Sequence, residues 1–331
     1  MQHMNETVSL IVPCYNKEKT IVRFLDSLLN QTYKNIQLII VDDGSTDHSR
    51  DAIDQYSERL IKAGIQVDYV YQENTGLGAA INTGLKHVKG KYLCWADPDD
   101  FYMPESFEKR VNILESHPEY AVVSSDAYVY QENDLEHPLK REATRFEHRF
   151  EEDQFWYLLT EQSHFCAGCH MVRMSAFDQV NPSRNIYPAR RGQNWQLLLP
   201  LYYAYKRFYL DEPLYAYVVS SSNMSQGDNT EQKELTRWNE HEDIIRHTLI
   251  TIPLTNEEKQ KADRILKTRY AKKKLYTAID YRDKKLLSEQ YDILVKLGEN
   301  SKEIKESYLR NKYFVCKLYY KGKEILKKKY V

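Results

Sequence analysis

Three carboxylates stand within four residues at Asp97-Pro98-Asp99-Asp100. Acids packed so closely repel one another unless a cation sits among them. Hard divalent cations such as Mn²⁺ and Mg²⁺ take carboxylate oxygens and usually keep substrate phosphates as further ligands. The cluster therefore offers a divalent-metal site, for Mn or Mg, that would hold a phosphorylated substrate. The plainer alternative is a solvated turn that caps the next helix. Two more polar clusters share the design of the first. Asp42-Asp43-Gly44-Ser45 and Glu73-Asn74-Thr75-Gly76 each follow a short apolar run directly.

Those runs must be strands if the clusters are to meet. Thr7 to Pro13, Gln37 to Val41, Val67 to Tyr71 and Tyr92 to Ala96 are apolar enough for the interior of a parallel sheet. Between them lie helical spacings: Ile21, Phe24, Leu25, Leu28 and Leu29, then about Ala79 to Val88, then a helix opened by Met103-Pro104. A further strand is expected at Ala121 to Ser125. Alternating strands and helices argue for βαβ units and an α/β fold. In such sheets ligands bind at the C-terminal ends of the strands. Asp42, Asp43, Asn74, Gly76, Asp97 and Asp99 would all gather there.

With Val12-Pro13-Cys14-Tyr15-Asn16 added ahead of them, these stretches resemble the ordered motifs of family 2 glycosyltransferases. The resemblance covers about residues 7 to 220. It implies an inverting, metal-dependent enzyme that uses a nucleotide sugar, most often a UDP-sugar. It also implies the GT-A fold, a Rossmann-like and mostly parallel sheet flanked by helices. By the same resemblance Pro13, Tyr15, Asp42 and Asp43 line the nucleotide pocket, and Asn74 and Gly76 border it. Asp97 meets ribose or sugar, and Asp99 or Asp100 the metal. The acceptor is a saccharide, lipid-linked or other glycoconjugate of surface polysaccharide assembly. Where the family usually has an Arg before Asn82, this chain has Ile81.

A second departure is chemically larger. The family usually carries Glu-Asp before an aromatic residue, and that Asp deprotonates the acceptor hydroxyl. Here the sequence is Gln193-Asn194-Trp195, and an amide cannot act as a general base. Three readings follow. Asp178 or Glu161 could be the base. The acceptor could be an anion such as a lipid phosphate. Or the protein could bind sugar nucleotides with little turnover. Arg190 and Arg191 precede the pair and could neutralise a donor or acceptor phosphate, with Trp195 as an aromatic platform. Earlier, His164-Phe165-Cys166-Ala167-Gly168-Cys169-His170 crowds four metal-ligand types into seven residues. That is too close for an ordinary zinc site, so the segment reads as a loop and strand on the acceptor side, through Phe177. The preceding stretch is polar and irregular, with a helix expected around Asp153 to Glu161.

The chain has 331 residues and a net charge of -1, so no overall field selects nucleic acid. No apolar run reaches membrane-spanning length, and five cysteines form no framework. A cytoplasmic protein with reduced thiols is expected. Residues 1–228 would form the catalytic domain, closed by the polar stretch Ser220 to Asp228. From 229 to 331 the pattern is helical. The last piece, Lys305 to Val331, carries a net charge of +7 with interleaved tyrosines, which suits an anionic membrane surface. Deleting Lys305 to Val331 should weaken sedimentation with anionic liposomes, and the loss should shrink as salt rises. Salt-sensitive binding that persists without the tail would make that helix structural.

Overall fold

The computed structural model describes residues 6–220, 229–313 and 316. The elements run β1 (Val8–Cys14), α1 (Ile21–Leu29), β2 (Ile36–Asp43), α2 (Ser49–Lys62), β3 (Gln66–Gln72), α3 (Leu77–His87), β4 (Tyr92–Trp95), β5 (Phe101–Tyr102), α4 (Ser106–Ser116), β6 (Val122–Gln131), β7 (Lys140–Arg141), α5 (Phe155–Leu159), β8 (His170–Arg173), α6 (Met174–Val180), α7 (Gln193–Ala204) and β9 (Arg207–Val219). Four helices follow: α8 (Glu231–Ile250), α9 (Asn256–Tyr281), α10 (Lys284–Lys296) and α11 (Lys302–Lys312).

The strands lie in the order β3-β2-β1-β4-β8-β6-β9-β5, with β7 against β6. β1 pairs in parallel with β2 and β4, and β2 with β3. β8 runs antiparallel to both β4 and β6. The chain leaves β1 toward β2 and β3, then returns to place β4 on the other side of β1. That reversal makes the β1–β4 boundary the switch point where open α/β sheets bind ligands. The core is what continuous apolar strands require. Val8, Leu10, Val12, Leu38, Ile40, Tyr92 and Cys94 are buried with Phe24, Leu25, Leu28 and Ile53 of the covering helices.

Two expectations need correction. Met171 to Phe177 is not one strand. β8 ends at Arg173, and Met174 opens α6 as its backbone N–H reaches the Lys91 carbonyl (2.9 Å). The sequence pattern at Arg207 to Leu210 and Leu214 to Val219 reads as two late strands, but these are one strand, β9, with a register shift near its middle. The α/β expectation itself holds. The chain divides near residue 223, with Ile244–Pro253 returning to the first unit. Ile244 and Ile245, in the last turns of α8, belong to that first unit and are buried. In the second unit Leu275, Ala278, Leu287, Leu294 and Ile304 form a separate small core. Ser221 to Asp228, and nearly all of the basic tail beyond Tyr313, lie outside the described residues. No helix among the described residues is long and apolar enough to cross a membrane.

A buried arginine braces the fold beneath the acidic cluster. Arg110 of α4 is fully buried and, among the described residues, has no carboxylate partner. It donates to the Ser106 carbonyl (3.0 Å), the Ser106 hydroxyl (2.5 Å) and the Gly168 carbonyl (2.9 Å). Gly168 in turn lies flat against the Tyr215 ring, where an added Cβ would overlap ring carbons. Overpacking of this kind typically costs about 1–3 kcal/mol. Gly168→Ala should therefore lower the melting temperature measurably in calorimetry. A variant as stable as the parent would show that Tyr215 has room to move.

Candidate functional site

The acidic turn leaves β4 at the switch point, and its three carboxylates have different surroundings. Asp100 is buried. One of its oxygens accepts from the Val218 N–H (2.8 Å) and the other from the Tyr215 hydroxyl (3.0 Å), both on β9. Burial, then the Asp99 and Asp97 charges, hold its pKa well above the usual carboxylate range. Asp100 is thus a strand-to-strand tie, contrary to its assignment as a metal ligand. Asp99 is partly exposed and pairs with the Lys17 ammonium through Oδ2 (2.7 Å). Its backbone carbonyl accepts from Arg23. Asp97 is half-buried, and its carboxylate accepts no hydrogen bond from any described residue. Burial first, and the Asp99 charge second, push its pKa up to about 7.

The β1 and β2 loops are laced together around this turn. Asn16, in a left-handed conformation (φ 52°), accepts from the Thr46 N–H at 2.8 Å. Its own N–H donates to Ser45 (3.0 Å), and the Lys17 N–H donates to Ser49 (2.7 Å). Asp47 closes the lattice by accepting from the Glu18 and Ser49 N–H groups, both at 3.0 Å. Asp42 accepts from the Tyr69 hydroxyl (2.6 Å) and the Ser45 N–H (2.8 Å) and is buried, so it shapes the loop from inside. Its placement in the nucleotide pocket is corrected accordingly. Asp43 holds the loop after β3. It accepts from the Thr75 N–H and the Gly76 N–H, both at 2.9 Å, and from Gln72 (2.7 Å). Gly44 needs its positive φ of 77°, and an added Cβ would lie 2.8 Å from the Asn74 nitrogen. Asn74 and Tyr15 are exposed on this edge, and Pro13 is half-buried where β1 leaves the sheet.

Residues 186–194 are stapled along the N-terminal end of α3. Asn82 exchanges two hydrogen bonds with the Ile186 backbone (2.8 and 2.7 Å), and the Gly78 N–H donates to the Ala189 carbonyl (2.8 Å). Ile81 is buried, so that position faces the core. Arg190 packs against Gly76, with its Cγ 3.4 Å from where a Cβ would stand. It is exposed and pairs with no described acid. Arg191 is partly exposed beside it. Gly192 turns the chain in a left-handed conformation into α7. Asn194, in the first turn of α7, accepts from the Trp95 indole N–H (2.7 Å).

Three assignments meet other surroundings. Trp195 is buried and stacks on Phe165 (5.4 Å), so it is core and not an open platform. Asp178 is held by Arg184 in a two-pronged pair (2.7 and 2.8 Å), and the same Arg184 donates to the Val88 carbonyl (3.0 Å). Val88 precedes β4, which puts Asp178 at the edge opposite the acidic turn and removes it as a base. Glu161 is partly exposed just beyond α5, at a positive φ of 60°. Among the described residues no three His, Cys, Asp or Glu side chains are placed to hold a metal, and His164 instead stacks on His170 (5.9 Å). Sequence reasoning missed Lys17, Gln72, Trp95 and Tyr215. Of these only Trp95 carried a signal, its place two residues before Asp97 on one strand.

Comparison with known proteins follows from this geometry. The family described as Glycosyl transferase family 2 matches residues 9–180. An uncharacterised glycosyltransferase of Rickettsia prowazekii is 42% identical over 107 residues, 32% of this chain and 31% of that protein. The chain thus matches under a third of that curated relative's length. S. aureus TarS 1-349 in complex with UDP-GlcNAc superimposes with a TM-score of 0.56 at 16% identity, covering 96% of this chain and 92% of that one. A mannosyltransferase of Pyrobaculum calidifontis in complex with GDP-Man and Mn²⁺ gives 0.54 at 15% identity, covering 93% and 85%. At these identities the likeness is one of fold.

Asp97 generates a pH prediction. A carboxyl that titrates near 7 in the fold, pushed up by burial and by Asp99, binds its proton more tightly there than in the unfolded chain. The stability this brings is complete below about pH 4 and is lost as pH rises through about 7. In EDTA, Asp97→Asn should melt higher than the parent at about pH 8, and the gap should close toward about pH 4. A gap that stays constant over that range would refute the assignment.

Proposed function

The chain belongs to glycosyl transferase family 2, and from that membership and the geometry of its acidic turn we propose that it moves a sugar from a UDP-sugar to a glycoconjugate acceptor, with inversion and with help from a divalent cation. The observation that carries the reading is the pair of carboxylates Asp97 and Asp99 at the switch point. Among the described residues, the Asp97 carboxylate accepts no hydrogen bond, and the Asp99 carboxylate pairs with the Lys17 side chain alone. Two carboxylates suit Mn²⁺ or Mg²⁺, which usually take one or two such ligands and complete their shell with water and substrate phosphates. Asp99 would hold the cation with Asp97 beside it, and the bound cation would neutralise charge building on the leaving diphosphate.

The remaining roles belong to this chain's own groups. Asp43 fixes the Asn74–Gly76 loop, so the wall of the nucleotide pocket is formed before the ligand arrives. Arg190, packed on Gly76, supplies a fixed positive charge at the same edge. The acceptor would approach from the side of α7 and attack the anomeric carbon opposite the diphosphate. Assembly of surface polysaccharide remains part of the proposal by family analogy.

The test is calorimetric. The parent should bind UDP more tightly with Mn²⁺ present, and Asp99→Asn should lose that metal dependence while keeping its melting profile. A variant with the parent's metal dependence would sink the reading of Asp99.

A further inference from the structure

The amide at position 194 has a fixed sense. An indole N–H is a donor with no acceptor capacity. The Trp95 nitrogen lies 2.7 Å from the Asn194 side-chain oxygen, so the amide oxygen must face Trp95 and its NH₂ must face away. The indole that imposes this is almost fully buried and stacks on His170 (6.1 Å, 7°). His170 is itself buried, with Nδ1 2.9 Å from the Cys166 carbonyl. The platform cannot swing aside without opening the core. No described residue accepts from the Asn194 NH₂, and Asn194 remains half-exposed. The usual base position is therefore occupied by a hydrogen-bond donor, backed by a donor that cannot change roles.

Two further facts fix the chemistry that would suit this donor. Asp178 lies at the opposite edge of the sheet, as described above. Arg190, four residues before Asn194 on the same segment, adds a cation that pairs with no described acid. A nucleophile met by an amide NH₂ and a guanidinium, with no base at the usual position, suits an oxygen that already carries negative charge. On a carboxylate two donors can leave neither oxygen without a hydrogen bond, and a hydrogen-bonded oxygen is the weaker nucleophile. A phosphate monoester has three terminal oxygens, enough for both donors and a free nucleophile.

Building on the glycosyl-transfer reading, we propose that the acceptor of this chain is a phosphate monoester, met by the Asn194 NH₂ and Arg190, with Trp95 as the residue that positions Asn194. One phosphate oxygen forms the new bond to the anomeric carbon. The bond from that carbon to the donor diphosphate breaks, and the nucleoside diphosphate leaves with the electron pair. The negative charge lost by the phosphate oxygen appears on the leaving group, and no proton changes hands.

The experiment uses the full chain with Mn²⁺ and a panel of UDP-sugars, reading UDP release and product mass. The acceptor probes are farnesyl phosphate and glucose 6-phosphate, with farnesol and methyl glucoside as their hydroxyl counterparts. At least one phosphate probe should raise UDP release tenfold or more over the acceptor-free rate, and neither hydroxyl probe should. The two phosphate arms separate a lipid phosphate from a soluble one. Asn194→Asp should lose at least tenfold on the active phosphate probe. Trp95→Phe, which keeps the ring and deletes the N–H, should lower kcat with UDP affinity unchanged. Faster transfer to a hydroxyl probe, or a gain there in Asn194→Asp, overturns the inference and leaves the glycosyl-transfer reading standing. So does donor binding without transfer to any probe. Absence of UDP binding with Mn²⁺ present fells the earlier reading instead.

Discussion

The Asp100 carboxylate is the constraint on which the rest of the site depends. It lies inside the protein with no cation against it, and burying a lone carboxylate is costly. The fold offsets that cost with a backbone N–H from Val218, the Tyr215 hydroxyl and a raised proton affinity. The arrangement ties the exit of β4 to β9, strands separated by two others in the sheet. With Asp100 held inward, Asp97 and Asp99 are left at the open edge. Tyr215 must then lie flat enough to reach Asp100, and this is why the residue beneath it has no side chain. The Gly168 carbonyl is itself held by Arg110. A buried carboxyl group, a ring, a glycine and a buried guanidinium thus form one mechanical unit under the acidic turn.

The loops above that unit follow a similar economy. The carboxylates of Asp42, Asp43 and Asp47 are spent largely on neighbouring backbone N–H groups, not left for a ligand. Such a lattice costs conformational entropy during folding, so less has to be lost when a substrate binds. Among the described residues, the Asp97 carboxylate accepts no hydrogen bond, and Arg190 and the Asn194 NH₂ have no described acceptor. The first is an acceptor just after β4, and the other two are donors on residues 190–194.

Apolar runs and strand-end acids made the parallel half of the sheet legible. A continuous run such as Gln37 to Val41 has few other homes, and a gathering of polar turns needs one edge. What the runs could not convey was direction of use. Asp42, Asp43 and Asp100 have the composition of ligands, but backbone donors claim their oxygens, and that competition is settled only in three dimensions. Asp178 looked eligible as a base because sequence does not say to which edge of the sheet a helix after an antiparallel strand returns. Trp195 looked like a platform because the first turn of α7 carries no periodicity to show that it faces Phe165. Met174 begins a helix within an apolar stretch because its N–H finds the Lys91 carbonyl, a contact 83 residues away in sequence that no local pattern announces.

Asn194 shows how little need change for a site to exchange one proton logic for another. An Asp in its place would keep the Trp95 hydrogen bond, since the indole N–H asks only for an oxygen. Its second oxygen would stand where the NH₂ now stands, and the same packing would present an acceptor in place of a donor. The scaffold formed by His170, Trp95 and the first turn of α7 is therefore indifferent to the exchange, while the substrate is not. A hydroxyl nucleophile needs a group to receive its proton, and an oxyanion needs groups that tolerate its charge. Arg190 stands four residues earlier on the same segment and pairs with no described acid. An amide at 194 adds no negative charge to that segment, where an Asp would.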